Sequence, residues 1–467
     1  MAHVTRRDFM KTSATVAAAA SWVSSRNSGA ANTPEEKTLR VGIGVRDITP
    51  APGIPMWGYS DRAGTATGAL DSLYAKAVVF GTDESSAAVV TLDLGRAPLP
   101  PVTERIRRQA RESGVQDVAI MATHTHHGPV VESVDAPHIL SIEKGIIEAI
   151  AEAAQSARPA RIAIARTTAD VSHNRRILTS DGRCIMLWRN AERRPTEPVD
   201  KEMMVVRIDG TDGKPIGTLV NFACHPVVMG PSNLEYSADY CGEMARIVKE
   251  ETGAECLFLQ GGCGDINPYL DKTPVDQGGV EAMRSVGREC AEAVLNALPQ
   301  AKPMTSQTAK VVYTEKPVTV GCRFDVNSEK QMDVLRGMYG DAIEFYKQFM
   351  TPDLTVPLGV LTVNDAIAFA FVPGEFFVQY QLELKAMSPL RNTLLCGYAN
   401  DFHAYFPTIR DAAAGGYGGL MATYVGVGAG DKLIMEACAE IGRQTGALKD
   451  IYLPEDFELI EAGKHEP

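Results

Sequence analysis

The chain has 467 residues, 45% of them hydrophobic and 22% charged, with a formal net charge of -12 at pH 7. That composition can bury one large core or two smaller ones, and it excludes a disordered or fibrous chain. The acidic balance argues against a nucleic-acid partner, because a polyanion binder needs a basic face to release counterions.

The first residues read as an address rather than as fold. Thr5-Arg6-Arg7-Asp8-Phe9-Met10-Lys11 is a twin-arginine pattern, followed by the mildly apolar stretch 16–23 and the small residues Ser28-Gly29-Ala30-Ala31. This predicts a Tat signal over residues 1–31, a polar linker over 32–38, and export to the periplasm, the cell envelope or beyond. Tat substrates cross folded, often with a cofactor already loaded, which suits a metalloprotein. The nine cysteines have no regular spacing, so neither a disulfide framework nor a C-x-x-C zinc knuckle is expected. No later segment reaches the roughly 18 uninterrupted apolar residues of a membrane span.

From Leu39 onward, strands and helices alternate. Strand-like runs are expected at 39–49, 75–80, 87–92, 117–122, 160–167, 203–208, 217–224, 255–259, 358–363, 366–372 and 393–396. Apolar residues at three- and four-residue spacing predict helices at 102–113, 142–156, 239–252, 279–298, 328–348, 376–386 and 432–445. No internal repeat is visible, and the longest candidate boundary, 301–316, is too short to mark two domains. The expectation is a single α/β domain over 39–467, with a mixed β-sheet core flanked by helices and a helical excursion near 325–350.

Several apolar runs end in a metal-capable or catalytic group. Run 117–123 leads into His124-Thr125-His126-His127, run 217–224 into His225-Pro226, and run 366–373 into Gly374-Glu375. In α/β sheets the loops leaving buried strands converge on one crevice, so two histidines and a glutamate delivered this way predict a zinc site at strand C-terminal ends. Residues i and i+2 of a strand end face one side, so His124 and His126 either share an ion or split into ligand and neighbour; a hydrogen-bonded loop pair is the alternative. Taken singly, His225 reads as a structural histidine and Glu375 as a helix N-terminal acid. The turn Gln260-Gly261-Gly262-Cys263-Gly264-Asp265 lacks a nucleotide-binding pattern, and its backbone N–H groups suit an oxyanion.

Together these segments resemble the neutral/alkaline non-lysosomal ceramidase family. The resemblance runs in order through 42–47 with Pro55-Met56-Trp57-Gly58-Tyr59, Asp93-Leu94-Gly95, 122–129, Asn174-Arg175, Val199-Asp200-Lys201, 222–226, Gly264-Asp265, Pro373-Gly374-Glu375-Phe376 and 400–405. It implies one zinc ion per chain, with ligands falling on His124, His225, Glu375 and Tyr405, the last placed by Asn400 and Tyr405. It also implies catalytic roles for His126, Arg175, Tyr417 and Asp265, with His126 and Arg175 beside the scissile bond. The activity implied is hydrolysis of the N-acyl bond of ceramide by metal-activated water.

Two departures bear on the substrate. The family's true ceramidases carry a nucleophilic serine directly after the glutamine of this turn, a position read here as Gly261, and Cys263 reads as a packed residue rather than its replacement. They also continue into a C-terminal immunoglobulin-like domain, whereas this sequence stops at Pro467. The alternatives are a zinc hydrolase of a more polar amide or ester, or a non-catalytic metal-binding envelope protein. Expected partners are a small-molecule or lipid acyl-amide substrate, with peripheral membrane contact and no nucleic acid; the oligomeric state is left open.

Overall fold

Side-chain alternation decides the architecture. The computed structural model describes residues 38–304, 309–449 and 451, so the signal and all but the last residue of the linker lie outside the described residues. Eight strands build a large sheet: β1 (Arg40–Asp47), β2 (Tyr74–Gly81), β3 (Ser86–Leu92), β4 (Asp117–Ala122), β5 (Arg158–Thr168), β6 (Glu202–Gly210), β7 (Pro215–Phe222) and β8 (Glu255–Gln260). Their order is β8-β7-β6-β5-β1-β2-β3-β4, with the short strand Lys302–Pro303 added against β5. The outermost pair at each edge is parallel and the inner pairs are antiparallel.

Four helices follow this sheet: α1 (Pro100–Glu112), α2 (Pro137–Ser156), α3 (Asp239–Thr252) and α4 (Gly279–Ala297). Helix α1 joins β3 to β4 and α3 joins β7 to β8, as parallel neighbours require. The sheet therefore consists of two halves of identical element order, β1-β2-β3-α1-β4-α2 and β5-β6-β7-α3-β8-α4, laid out as mirror images in strand order. This recurrence is topological and leaves no repeat in the sequence.

A second sheet has the order β9 (Val311–Thr319), β10 (Thr355–Val363), β11 (Ile367–Phe371) and β12 (Thr393–Cys396). Helix α5 (Glu329–Tyr339) precedes β10, α6 (Val378–Met387) joins the parallel pair β11 and β12, and α7 (Ala429–Thr445) follows. The two sheets pack face to face. Val78, Phe80, Val89, Met121, Leu219 and Leu259 of the first sheet meet Leu361, Val363, Phe369, Phe371 and Leu394 of the second in one buried cluster. Their sequence neighbours Val79, Val90, Ile120 and Phe258 face the other way, into a core shared with Ile106, Ile146 and Val248 of the helices. On the far side, Val360, Ala370 and Leu395 meet Leu384, Leu433 and Ile441. The layers are helix, sheet, sheet, helix, so the mixed sheet flanked by helices is present with a second sheet inside it.

The segment 301–316, read from sequence as a candidate boundary, instead leads into an edge strand. Val311–Thr319 pairs antiparallel with β10, and only Val311 and Val318 are buried. Glu315, Lys316 and Pro317 interrupt the apolar signal because an edge strand tolerates charge and proline that a central strand does not. The helix expected over 328–348 stops at Tyr339, where Gly340 adopts φ +54, and continues only as short turns to Phe349. Among the described residues no helix is long and apolar enough to cross a membrane.

Candidate metal centre

Six strand ends deliver the site, two from each parallel pair. His124 lies just beyond β4, His225 just beyond β7, and Glu375 just beyond β11; the ends of β3, β8 and β12 supply the groups that hold them. His124 is fully buried in a left-handed conformation (φ +69), its Nδ1 lies 2.6 Å from Gly95 O, and its ring stacks on Tyr398 at 3.8 Å. His225 is likewise buried, with Nδ1 2.6 Å from Cys263 O. A carbonyl only accepts, so Nδ1 carries a proton in both rings, and in the neutral ring of His225 Nε2 is left with a lone pair.

The two Nε2 atoms face one carboxylate. Glu375 Oε2 lies 3.3 Å from His124 Nε2 and 3.1 Å from His225 Nε2, and His126 Nε2 lies 3.3 Å from His124 Nε2. Burial, with Arg175 nearby, pushes His225 down to about 4, so its imidazole is neutral at neutral pH. Burial, then the imidazoles of His124 and His225, push His126 well below its ordinary value. Burial alone would raise Glu375, yet positive charge and donation at the nitrogens of His124 and His225 hold it below its ordinary range, so it is a carboxylate wherever a proton or a cation sits at those nitrogens. Imidazole nitrogens turned onto a carboxylate oxygen repel it unless a proton or a metal cation lies between them. A tetrahedral ion with donors at about 2.0 Å separates those donors by roughly 3.3 Å, the spacing seen here. The ring nitrogens of His124, His126 and His225 all lie within 4.8 Å of one another. The residues present therefore fit a metal ion.

The surrounding residues are placed by local structure. His124 and His126 share one side of the strand end while Thr125 between them turns away to donate to Ser237 O (2.7 Å). His126 fits against Gly58 at φ +104, where a Cβ would come within 2.5 Å of its ring. Trp57 packs edge-on against both His124 and His126. Tyr405 reaches Glu375 because Glu375–Phe376 and Tyr405–Phe406 are paired parallel, residue for residue. Its hydroxyl accepts from Arg175 Nη2 at 3.1 Å. Arg175 also donates to Gly264 O and Asn267 Oδ1 and is stacked among Trp188, Tyr405 and Tyr417. Although burial opposes its charge, the phenols of Tyr405 and Tyr417 keep Arg175 protonated.

Of the eight residues singled out from sequence, seven converge here, and Asp265 does not reach the imidazoles. Its carboxylate accepts from Asn174 Nδ2 (2.7 Å) and the Val378 N–H (2.8 Å), and its own carbonyl accepts from the Arg175 N–H. It fastens the Arg175 strand to the start of α6. Burial raises it to about 6. A side chain at Gly261 would run into Gln381 Oε1 at 2.2 Å and the Phe222 carbonyl, so that position faces Gln381 rather than the imidazoles. The residue of this turn that reaches the site is Asn267, between Arg175 and Asp271. From sequence, Tyr398 reads only as an aromatic that packs or lines a pocket, and Asn267 carries no role of its own. Nothing in the run Gly397-Tyr398-Ala399 marks a tyrosine bent to φ +57 over a histidine; for Asn267, the strand pairing of Ile266–Pro268 with Ser172–Asn174 carries the signal.

Residues 39–257 match the model of a family described as neutral/alkaline non-lysosomal ceramidase, N-terminal. This stretch, just under half of the chain, is similar to that family. Two ceramidase relatives agree: neutral ceramidase 2 of Arabidopsis thaliana is 28% identical over 231 residues, 45% of this chain and 30% of the relative. Neutral ceramidase A of Dictyostelium discoideum is 25% identical over 278 residues, 50% of this chain and 36% of the relative. The matched stretch thus spans about a third of the length of these ceramidases. The fold agrees over more of the chain. The crystal structure of neutral ceramidase from Pseudomonas aeruginosa superposes with a TM-score of 0.71 at 20% identity, covering 89% of this chain and 76% of that one. A structure described as ceramidase complexed with C2 gives 0.70 at 19% identity, covering 89% and 77%.

Proposed function

We propose that this protein is a metal-dependent hydrolase of an N-acyl amide bond, with zinc as the resident ion and N-acylsphingosine as the first substrate to test. The observation that carries the reading is the convergence of His124 Nε2 and His225 Nε2 on one Glu375 carboxylate oxygen, at the spacing of donors around one ion. His124, His225 and Glu375 would hold the ion, with Tyr405 as the fourth donor. When bound, zinc supplies Lewis acidity and lowers the pKa of water to about 7. Around it, Arg175 and Tyr405 present donors to a developing oxyanion. His126, neutral at working pH and open to the cleft, accepts a proton at Nε2 and returns it to the leaving nitrogen. Tyr417 and Trp188 wall the Arg175 guanidinium and fix its direction.

A hydrolase acting on a more polar amide is the second reading, and it is favoured by Lys272 and Arg62, the cations that lie against Tyr59 beside His126. The Tat reading of residues 1–31 belongs to the same proposal: an exported enzyme carrying its ion through the membrane, retained in the cytoplasm when Arg6 and Arg7 are both changed to Lys. The direct experiment measures fatty-acid release from labelled N-acylsphingosine by the zinc-loaded full chain, with Glu375→Gln as the blank. Release that needs zinc and disappears in the blank supports the proposal. A protein that holds one zinc per chain and releases nothing sinks the ceramide assignment; one that binds no zinc sinks the whole reading.

A further inference from the structure

Resting on the amidase reading, we infer that the cleft is built for an acyl amide carrying a free carboxylate a few bonds from the scissile nitrogen, and that Lys272 is the residue that binds this carboxylate.

The inference starts from how Lys272 is held. Its backbone is left-handed, at φ +52, a conformation that is uncommon outside glycine and costs free energy wherever it is kept. Its N–H donates to Val227 O (2.9 Å), and the next N–H, of Thr273, donates to Val228 O (2.8 Å), so the residue is fastened to the loop that leaves His225. The side chain is exposed and extends between two rings. Its Nζ lies 4.6 Å from the Trp188 ring centroid and 5.8 Å from that of Tyr59.

Those two rings lead to opposite sides of the reacting centre. Tyr59 packs on His126 at 4.9 Å, while Trp188 packs on Tyr417 at 5.3 Å and carries the Arg175 guanidinium at 5.1 Å. The ammonium therefore closes an arc that runs from His126 through Tyr59, Lys272 and Trp188 to Arg175. Among the described residues it has no salt-bridge partner. The nearest acid in sequence, Asp271, is turned inward to accept from Asn267 Nδ2 at 2.8 Å. Arg62, over the outer face of Tyr59, and Arg175 add positive charge on either side.

An ammonium set between aromatic faces, answered within the protein only at longer range by the inward-turned Asp271, offers three donors to a ligand anion. It is separated from His126 and from Arg175 by one ring in each direction, too far to touch the scissile carbonyl. A carboxylate on the substrate reaches it only if it sits a few bonds from the amide, as in an N-acyl amino acid. The neutral hydroxylated head of a ceramide would leave that charge unanswered.

N-lauroylglycine and N-lauroylglycinamide differ only in whether the terminal group is charged, and they serve as the probes. With the zinc-loaded full chain, calorimetric Kd and KM for the carboxylate are expected to be about tenfold lower than for the carboxamide, the scale of one charge-assisted hydrogen bond. Lys272→Gln should reduce that preference about tenfold, Lys272→Arg should keep most of it, and added salt should narrow it in the wild type. Equal Kd for the two probes, or a preference that Lys272→Gln leaves intact, overturns the inference even if both amides are cleaved. A Lys272-dependent preference in Kd with no cleavage of any amide would sink the amidase reading while the carboxylate site stands. Failure of both probes to bind would overturn the inference.

Discussion

Asp93 is a buried acid that the fold keeps without a full counter-charge. Burial raises it to about 6, with Lys76 and the Tyr74 N–H (2.9 Å) only partly offsetting that. Its folded value lies above its ordinary value, so its contribution is fully present below about pH 4 and is lost as pH rises through about 6. Asp93→Asn keeps an acceptor for Tyr74 and removes the charge. The variant should be more stable than wild type by roughly 2 kcal/mol near pH 8 and no more stable near pH 4, as read from urea midpoints. Gly58 makes a second residue-scale case: Gly58→Ala would push a methyl into the His126 ring from a backbone at φ +104. Zinc stoichiometry should survive while turnover falls at least tenfold, an outcome that separates His126 from the ligands holding the ion. At this scale the sequence was legible where a residue type is chemically rare at its position. Two histidines and a glutamate after apolar runs could be read so; Asn267 and Tyr398 act through shape, and asparagine or tyrosine in a loop has many commoner reasons to be there.

The loop from Gly397 to Tyr405 is held at both ends by other elements. Asn400 accepts the Ile120 N–H at Oδ1 (2.9 Å), donates its own N–H to Ile120 O (2.7 Å), and donates Nδ2 to Glu315 (2.7 Å). It closes the exposed edge of β4 and ties the loop to the second sheet. Asn400→Ala leaves the buried Ile120 N–H without a partner and removes one donor from Glu315, which keeps Arg107 and Tyr313, and should cost about 2 kcal/mol in urea denaturation. Because Tyr405 is five residues further on, turnover should fall together with stability, and Asn400→Asp should recover only the Ile120 contact. Elements with a strong period were legible: the bounds of β4 and α3 coincide with their expected ranges. β9 was not, because an edge strand shows one buried face for only two of its residues, and its pairing with β10 depends on a segment some forty positions away.

The proposed ligand set draws on both sheets: His124 and His225 leave the large one, and Glu375 and Tyr405 belong to the strands that follow the small one. Asn221 joins the same two sheets below, donating to Leu259 O and Leu395 O at 2.9 Å each. Binding an ion that prefers the folded state adds RT ln(1 + [L]/Kd) to stability, about 2.7 kcal/mol at a hundredfold excess over Kd. Chelation should therefore lower Tm, and restored zinc should raise it in proportion to the logarithm of its concentration. Loss of zinc without any change in Tm would mean that the two sheets do not share it. The stacking of two sheets, and the mirrored halves of the larger one, were beyond sequence reading. Alternation tells which side of a strand is apolar, and it is silent on whether a helix or another sheet covers that side.

The register pairing of Glu375 with Tyr405 also has a kinetic side. If both hold the proposed ion, two donors fixed to one short ribbon leave it together, and they do so only when that ribbon draws back from the histidine loops. Ion exchange then keeps time for the parting of the two layers. Loosening their contact far from the cleft, where Phe80 meets Phe369 at 6.0 Å, would shorten the residence of the ion without altering any atom that touches it.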